Sequence, residues 1–308
     1  MKGDGKRLIR KLGYHGVEVF KNPGNYKQRL DYNFERFLAD NKAKKGLYSY
    51  PHNIIFLAGM GLGGSTWLKN LLARIPGYYT RSTPMPWEVY YNQNFCDSGF
   101  SRTPNKGYSL FKTHLNPSVE NLNCLNRNGV TKILVSYRDY RDVLLSLTHR
   151  LIKFPKEKDA FDYVDLNAMG FDKALEHLIN LYSEDFIDWV EGWFELARQD
   201  PDRYHFVRFE DLSKDTEKIY RGMLDFYGVN LSDTLIKDNI LQSKGNGNVG
   251  KNLSASKVLP WGLSSNFRSG KTGGWREEFS PYHIELCKEK LGLALITAGY
   301  EEALDWKL

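Results

Sequence analysis

A glycine-rich segment is the first part of the sequence whose residues could bind a ligand. Residues 59–64 read GMGLGG, and Ser65 and Thr66 follow them. Because glycine carries no side chain, the backbone N–H groups of such a turn can converge on a phosphate, and the N-terminus of a following helix attracts the same anion. The spacing Gly59-x4-Gly64 is that of a P-loop, although Ser65 stands where a P-loop has its lysine. The segment therefore predicts phosphate binding, and a tight connection between a strand and a helix is the alternative.

A lysine and a histidine two residues apart form the second candidate feature. Lys112 and His114 lie within Phe111–Leu115, at the end of a predicted strand. Residues two apart in a strand point to the same side, so the two side chains could act together. The lysine would supply a fixed positive charge, and the histidine a base that titrates near neutrality. A histidine with a purely structural role explains the pair equally well.

An arginine and a serine could form a second anion site. Arg138 ends a predicted strand, and Ser146 lies two turns into the helix that follows. A planar guanidinium binds phosphate through two N–H groups, and a hydroxyl can complete the contact. The alternative is an Arg/Asp ion-pair cluster at the start of the helix, and both interpretations can hold.

The last basic segment contains Arg268, Gly270 and Lys271 between the apolar residues Phe267 and Trp275. Positive charge and bare backbone, with an apolar anchor at each end, are typical of a clamp that closes on an anion. A basic loop without a ligand is the alternative.

Strands and helices alternate along the chain and must position these residues. The run Ile54–Ala58 is apolar throughout, which is typical of a strand buried on both faces of a parallel sheet. Three more strands are predicted over 108–112, 132–137 and 204–209, and helices over 67–74, 142–153, 171–198 and 212–227. This order predicts an α/β fold with a mainly parallel central sheet flanked by helices. Ligands of such folds bind at the carboxyl ends of the strands, where the segments described above fall.

The composition excludes several classes of protein. With 308 residues, 41% of them hydrophobic and 26% charged, the chain fits a globular protein rather than a disordered, collagenous or coiled-coil one. The longest apolar runs fall far short of the roughly 20 residues of a membrane-spanning helix, and no apolar stretch of a secretory signal follows the basic first residues. The three cysteines, Cys96, Cys124 and Cys287, are far apart. They form neither a disulfide framework nor a metal-ligand pattern, which favours a reducing, cytoplasmic setting.

The positive charge is concentrated in the first fifty residues. The net charge is +6, and residues 1–50 contribute +7, with twelve Lys/Arg against five Asp/Glu. Apolar residues at helical spacing from Leu30 to Leu38 predict an amphipathic helix. We therefore predict a basic N-terminal helical segment, residues 1–50, that packs on a main domain, residues 51–308. A solvated basic helix explains the charge better than a nucleic-acid, lipid or polyanion site.

The motifs, taken in their order along the chain, resemble those of the cytosolic-type sulfotransferases. These enzymes move a sulfuryl group from 3′-phosphoadenosine 5′-phosphosulfate (PAPS) to an acceptor and release adenosine 3′,5′-bisphosphate (PAP). Gly61–Leu68 is similar to the 5′-phosphosulfate loop, Phe111–Leu115 to the segment with the catalytic histidine, and Tyr137–Ser146 to the 3′-phosphate segment. Asn266–Trp275 resembles the C-terminal arginine–glycine motif, and Phe206–Val229 a further landmark. The resemblance implies a P-loop-like sulfotransferase fold, PAPS as donor, PAP as product and no metal.

The resemblance also implies a role for individual residues. The residues implied to contact PAPS are Gly61, Gly63, Gly64, Ser65, Thr66, Trp67, Arg138, Ser146, Arg268, Ser269 and Gly270. Of these, the glycine loop would hold the 5′-phosphosulfate, Trp67 would lie near the adenine, and Arg138 would contact the 3′-phosphate. His114 would be the general base of the transfer.

Three positions depart from the family pattern. Leu62 stands where the family has a loop lysine, Ser269 replaces a basic residue, and Phe209 replaces a tyrosine. Because Leu62 cannot stabilise a leaving phosphate, we expect Lys112 to do so. Lys69 or Lys271 could substitute for it.

Two other functions and several acceptors stay open at this point. A P-loop nucleotide kinase shares the strand–loop–helix unit, and a catalytically degenerate PAPS-binding module would explain Leu62. The acceptor could be a hydroxyl of a small phenol, a carbohydrate, or a lipid-linked or carrier-bound group, with no nucleic-acid partner expected. Residues 78–100 and 154–166 are predicted to form the pocket walls. A degenerate counterpart of the family's dimer motif, around Arg276, Ser280 and Glu285, admits a homodimer.

Overall fold

A parallel sheet forms the centre of the protein. The computed structural model describes residues 23–81, 97–100, 103, 107–153, 165–243 and 270–307. The strands of the described part are β1 (Ile54–Gly59), β2 (Tyr78–Thr80), β3 (Tyr108–Thr113), β4 (Ile133–Tyr137) and β5 (Tyr204–Arg208). They pair in the order β2-β3-β1-β4-β5, and every pairing is parallel. The predicted α/β fold with a parallel central sheet is confirmed.

Helices follow most of the strands, as the alternating pattern predicts. The helices of the described residues are α1 (Pro23–Lys44), α2 (Ser65–Leu72), α3 (Val119–Arg127), α4 (Tyr140–Lys153), α5 (Leu166–Met169), α6 (Phe171–Gln199), α7 (Phe209–Lys214), α8 (Thr216–Phe226), α9 (Asp233–Ser243), α10 (Trp275–Glu278) and α11 (Pro281–Thr297). A single helix was predicted over 212–227, but two helices cover this region. The break lies at Asp215, whose carboxylate accepts a hydrogen bond from the backbone N–H of Lys218 and so caps α8.

The two faces of the sheet are covered by different helices. Along β1, Phe56 and Ala58 pack in one hydrophobic cluster and Ile55 and Leu57 in the other, as expected from the alternation of side chains along a strand. The buried leucines of α2 belong to the cluster with Leu57, whereas those of α4 belong to the cluster with Phe56. The connections after the adjacent strands β1 and β4 therefore diverge to opposite faces. Such a switch point opens a crevice at the carboxyl ends of the two strands.

The short strand β2 forms an edge of the sheet and was not predicted. Tyr78 is completely buried, so this end of the predicted pocket wall belongs to the core. Arg81, directly after β2, is also buried and forms an ion pair with Asp40 of α1, with 2.8 Å between nitrogen and oxygen. The helix before the main sheet therefore contacts the sheet edge through Asp40. Of the apolar residues predicted to pack on the main domain, Phe34, Phe37 and Leu38 do not do so, since they are exposed. The division at residue 50 stays a prediction. No helix within the described ranges is long and apolar enough to span a bilayer.

Candidate active site

The loop after β1 is held against β4. The backbone N–H of Met60 donates to the carbonyl oxygen of Ser136 at 2.8 Å, and the N–H of Gly63 donates to that of Met60 at 3.1 Å. Two residues of the loop, Leu62 with φ +56° and Gly64 with φ +79°, have left-handed backbone conformations. This turn brings the chain from the end of β1 directly into the N-terminus of α2, whose first N–H groups have no partners within the helix.

Close packing requires two of the glycines. A β-carbon on Gly64 would lie 2.2 Å from the ring of Phe209, and one on Gly59 would lie 2.4 Å from the β-carbon of Ser65. No side chain fits at either position without displacement of these neighbours. The loop is therefore pressed between β1, α2 and the residue that follows β5.

His114 is oriented by the strand beside it. Its Nδ1 lies 2.6 Å from the carbonyl oxygen of Gly59, and its Nε2 lies 3.1 Å from Nζ of Lys112. Since a carbonyl only accepts hydrogen bonds, Nδ1 carries the ring proton, and Nε2 is left as the acceptor. Burial and, to a lesser extent, the charge of Lys112 lower the pKa of His114 to about 3, although the hydrogen bond to Gly59 acts in the opposite direction.

Lys112 shares this environment with a second lysine. Burial, followed by the charge of Lys69, lowers the pKa of Lys112 to about 8. Burial also lowers the pKa of Lys69, which lies on α2 and is only 8% exposed. The end of the glycine loop is therefore a cationic environment in which the charge of Lys69 disfavours that of Lys112.

Arg138 connects the glycine loop with the C-terminal segment. Its Nη2 donates to the carbonyl oxygen of Lys271 at 2.6 Å, its Nη1 donates to that of Leu62 at 3.5 Å, and its guanidinium lies 4.8 Å from the ring centre of Phe209. Arg138 itself is buried. Segments that are 76 and 133 residues away in the sequence thus meet at one guanidinium.

Asp142 holds the same two elements together and was not singled out from the sequence. It is completely buried. One carboxylate oxygen accepts from the backbone N–H of Gly273 at 2.7 Å and lies 3.5 Å from the guanidinium of Arg138, and the other accepts from the N–H of Trp275 at 3.1 Å. The predicted Arg/Asp cluster is therefore present beside the predicted anion site. The four-residue spacing of Arg138 and Asp142 was the only signal in the sequence.

The remaining residues predicted to contact PAPS differ in their burial and in their contacts within the protein. Trp67 packs edge-on against Phe209 and donates from Nε1 to Ser243 Oγ at 3.3 Å, while Ser65 is buried under the loop. Gly61 and Thr66 are exposed, and Gly270 is partly exposed with φ +65°. Ser146 is partly buried on α4, one helical turn beyond Asp142. Arg268 and Ser269 lie outside the described residues, as do most of the predicted pocket walls.

Comparison with known proteins identifies the family. Residues 52–292 match the profile of the sulfotransferase domain family. The chain belongs to this family. Flavonol 3-sulfotransferase of Flaveria bidentis is 24% identical to this sulfotransferase over 314 residues, which cover 92% of this chain and 97% of the relative. Cytosolic sulfotransferase 13 of Arabidopsis thaliana is also 24% identical, over 80% of each chain.

Solved structures show the same fold. A mouse sulfotransferase complexed with PAP matches 85% of this chain and 92% of its own, with a TM-score of 0.58 and 19% identity. Retinol dehydratase in a complex with retinol and PAP has a TM-score of 0.54 and 19% identity, covering 89% of this sulfotransferase and 88% of its own chain. The predictions of the family, the fold and an enzyme are confirmed, and PAPS, the predicted donor, is the donor that sulfotransferases use.

Proposed function

We propose that this sulfotransferase transfers the sulfuryl group of PAPS to a hydroxyl of a small-molecule acceptor, with His114 as the general base and Lys112 as the group that stabilises the leaving phosphate. The contact of His114 with both Lys112 and Gly59 carries this proposal, because an imidazole and an ammonium group lie together at the start of the glycine loop. Relatives named for flavonols support a small-molecule acceptor, as does a structural neighbour complexed with retinol.

The residues around the crevice fit a nucleotide that carries phosphates at both its 3′ and 5′ positions. Buried polar atoms without a partner in the described part of the chain include Thr113 Oγ1 and Ser136 Oγ at strand ends and Nε of Arg138. Unpaired polar groups in a protein interior are unfavourable unless a ligand or water satisfies them. Backbone N–H groups of Gly64 to Thr66 would hold the 5′ end of the nucleotide, and Arg138, Ser146 and Gly270 would hold its 3′-phosphate. When bound, PAPS supplies the sulfuryl group.

His114 has the tautomer that a general base needs. Its Nδ1–H is held by Gly59, so Nε2 can accept the proton of the acceptor hydroxyl. In this structure Nε2 accepts from Lys112 instead. An anion beside Lys112 would draw the ammonium away from Nε2 and offset the positive charge that lowers the pKa of His114. General-base catalysis of this kind contributes about 10²–10⁴ in rate.

Lys112 would act on the leaving phosphate as negative charge develops there. Removing one preorganised donor of this type costs about 10²–10³ in turnover. Lys112→Ala is therefore expected to lose far more turnover than nucleotide affinity. Near-normal turnover of that variant would remove Lys112 from this role.

Transfer of radiolabelled sulfate from PAPS to a panel of flavonols, simple phenols, sterols and sugars tests the proposed function. Transfer to one class of hydroxyl supports it, and tight binding of PAP without transfer to any acceptor would favour a degenerate binding module. Absence of PAP binding together with Mg²⁺-dependent turnover of ATP would overturn it in favour of a nucleotide kinase.

Location and assembly remain predictions. A cytoplasmic location is supported by a relative named as cytosolic and by Cys124 and Cys287, which are buried free thiols. A homodimer and an N-terminal segment that ends near residue 50 are testable by gel filtration of the full chain and of a chain that begins at residue 51.

A further inference from the structure

Lys69 is a buried lysine without a compensating anion. Its side chain lies at the fifth position of α2, is only 8% exposed, and has no hydrogen-bond acceptor or carboxylate among the described residues. Burial of an ammonium group without a partner is unfavourable, so such a group normally pairs with a carboxylate or serves a ligand. Burial lowers the pKa of Lys69, with no contribution from a carboxylate of the described residues.

The helix places Lys69 above the end of β1. Lys69 follows Ser65 by one helical turn, so both lie on the same face of α2. Ser65 packs directly on Gly59, whose carbonyl oxygen accepts the hydrogen bond from His114. Long side chains on a helix lean toward its N-terminus, which directs the ammonium of Lys69 toward the glycine loop.

Lys69 and Lys112 reach this region from different elements. Lys112 lies on β3, pairs in register with Leu57 of β1, and contacts His114. The helix that carries Lys69 packs against the strand that carries Lys112, and the charge of Lys69 also contributes to the lowered pKa of Lys112. Two neighbouring ammonium groups near the N-terminus of a helix attract an anion strongly.

The glycine loop itself adds no side-chain charge at this point. Leu62 is partly buried and packs against the hydrophobic cluster under the loop. We propose that Lys69 binds the 5′-phosphate of the nucleotide together with Lys112, and that this pair supplies the positive charge that the loop lacks. The inference rests on the proposed function, since it assumes that the anion is the 5′ end of PAPS or PAP.

Isothermal titration of three nucleotides into the wild type and Lys69→Met tests this assignment. Methionine keeps the length of the lysine stem and removes its charge. Because one charge-assisted hydrogen bond is lost, the affinities for PAP and for adenosine 5′-monophosphate are expected to fall about 10- to 100-fold. The affinity for adenosine 3′-monophosphate should stay within about twofold, since this ligand has no 5′-phosphate. Lys237→Met, which removes an exposed lysine of α9, is the matched control and should bind all three like the wild type.

The outcomes separate this inference from the function on which it rests. If the wild type binds PAP and Lys69→Met binds both 5′-phosphorylated nucleotides equally well, the assignment of Lys69 is overturned while the proposed function stands. An equal loss of affinity for adenosine 3′-monophosphate in Lys69→Met would also overturn the assignment of Lys69, because the loss would then not depend on the 5′-phosphate. Failure of the wild type to bind PAP would instead overturn the proposed function. If Lys69→Met does not fold, Lys69→Gln is measured in its place against Lys69→Arg, which keeps the charge and should retain the affinity.

Discussion

Nε2 of His114 lies 3.1 Å from Nζ of Lys112, so the two residues proposed for catalysis contact each other. The lysine donates to the nitrogen that must accept a proton during the reaction. As long as this contact persists, the lone pair of Nε2 is occupied and the histidine is held neutral. The arrangement therefore couples the two functions: an anion that attracts Lys112 also frees the base.

Replacement of His114 tests the base directly. His114→Asn removes the ring nitrogen that accepts the proton, while an asparagine N–H can still donate to the carbonyl of Gly59. We expect kcat to fall by about 10²–10⁴ and the affinity for PAP to stay within about threefold. Sulfate transfer to the best acceptor of the panel and titration with PAP measure the two quantities.

His149 provides the matched control, because it is partly exposed and pairs with Glu278 rather than with Lys112 or Gly59. His149→Asn should keep the wild-type kcat. A turnover of His114→Asn within tenfold of the wild type would show that another group removes the proton.

The affinity for PAP should depend on pH through Lys112. The pKa of Lys112 is lowered to about 8 by burial and by Lys69, with neutral His114 as its other neighbour. A bound anion favours the protonated lysine, so it raises this pKa. Binding therefore takes up a proton above pH 8, and the affinity falls with rising pH by up to about tenfold per unit, the limit for one linked proton.

Calorimetry in two buffers of different ionisation enthalpy at pH 8.8 measures this proton uptake. Below pH 7 the uptake by Lys112 should vanish, because the lysine is already protonated in the free protein. Lys112→Met should lose the uptake at pH 8.8. An unchanged uptake in this variant would assign the proton to a different group.

The sheet was predictable because burial on both faces leaves a continuous apolar run, as in Ile54–Ala58. The edge strand β2 was not, since its three residues, Tyr78–Thr80, are too few to show a pattern. The proximity of Lys112 and His114 followed from their spacing in a strand. The burial of Lys69 did not, because a lysine beside Leu68 on a short helix can face either solvent or the sheet, and only the packing of α2 decides between them.

Gly64 should be among the least replaceable residues of the loop. Gly64→Ala must adopt φ near +79°, which costs about 1–2 kcal/mol for a residue with a β-carbon. The same β-carbon would lie 2.2 Å from the ring of Phe209, and such overpacking adds about 1–3 kcal/mol. Urea unfolding should report the sum of the two costs, and the affinity for PAP should fall because Phe209 also packs under Arg138.

A substitution at Gly129 measures the cost of backbone strain without the cost of overpacking. Its φ is +76°, but no atom lies within 4 Å of the position of an added β-carbon. Gly129→Ala is therefore expected to show the cost of the left-handed conformation alone. Equal losses of stability in the two variants would mean that the ring of Phe209 moves aside freely.

The order of the motifs along the chain was readable from the sequence, but the connection between Arg138 and the C-terminal segment was not. That connection depends on Asp142, which accepts hydrogen bonds from Gly273 and Trp275, more than 130 residues away. A buried aspartate on a helix gives no sign of such distant backbone partners. Only the folded chain shows that the carboxylate of Asp142 orients both Arg138 and the C-terminal segment at Gly273 and Trp275.

Asp142→Asn should therefore weaken both the fold and the 3′-phosphate site. Asparagine keeps one acceptor oxygen but places an NH₂ group against N–H donors, and it leaves Arg138 buried without its counter-charge. Removal of one partner of a buried ion pair costs about 3–5 kcal/mol, which urea unfolding would detect. Because Arg138 loses its orientation, the affinities for PAP and adenosine 3′-monophosphate should fall about tenfold, while that for adenosine 5′-monophosphate should change little. Asp188→Asn, at an exposed position of α6, should match the wild type in every measurement. Wild-type affinity for the 3′-monophosphate in Asp142→Asn would show that Arg138 is positioned by other contacts.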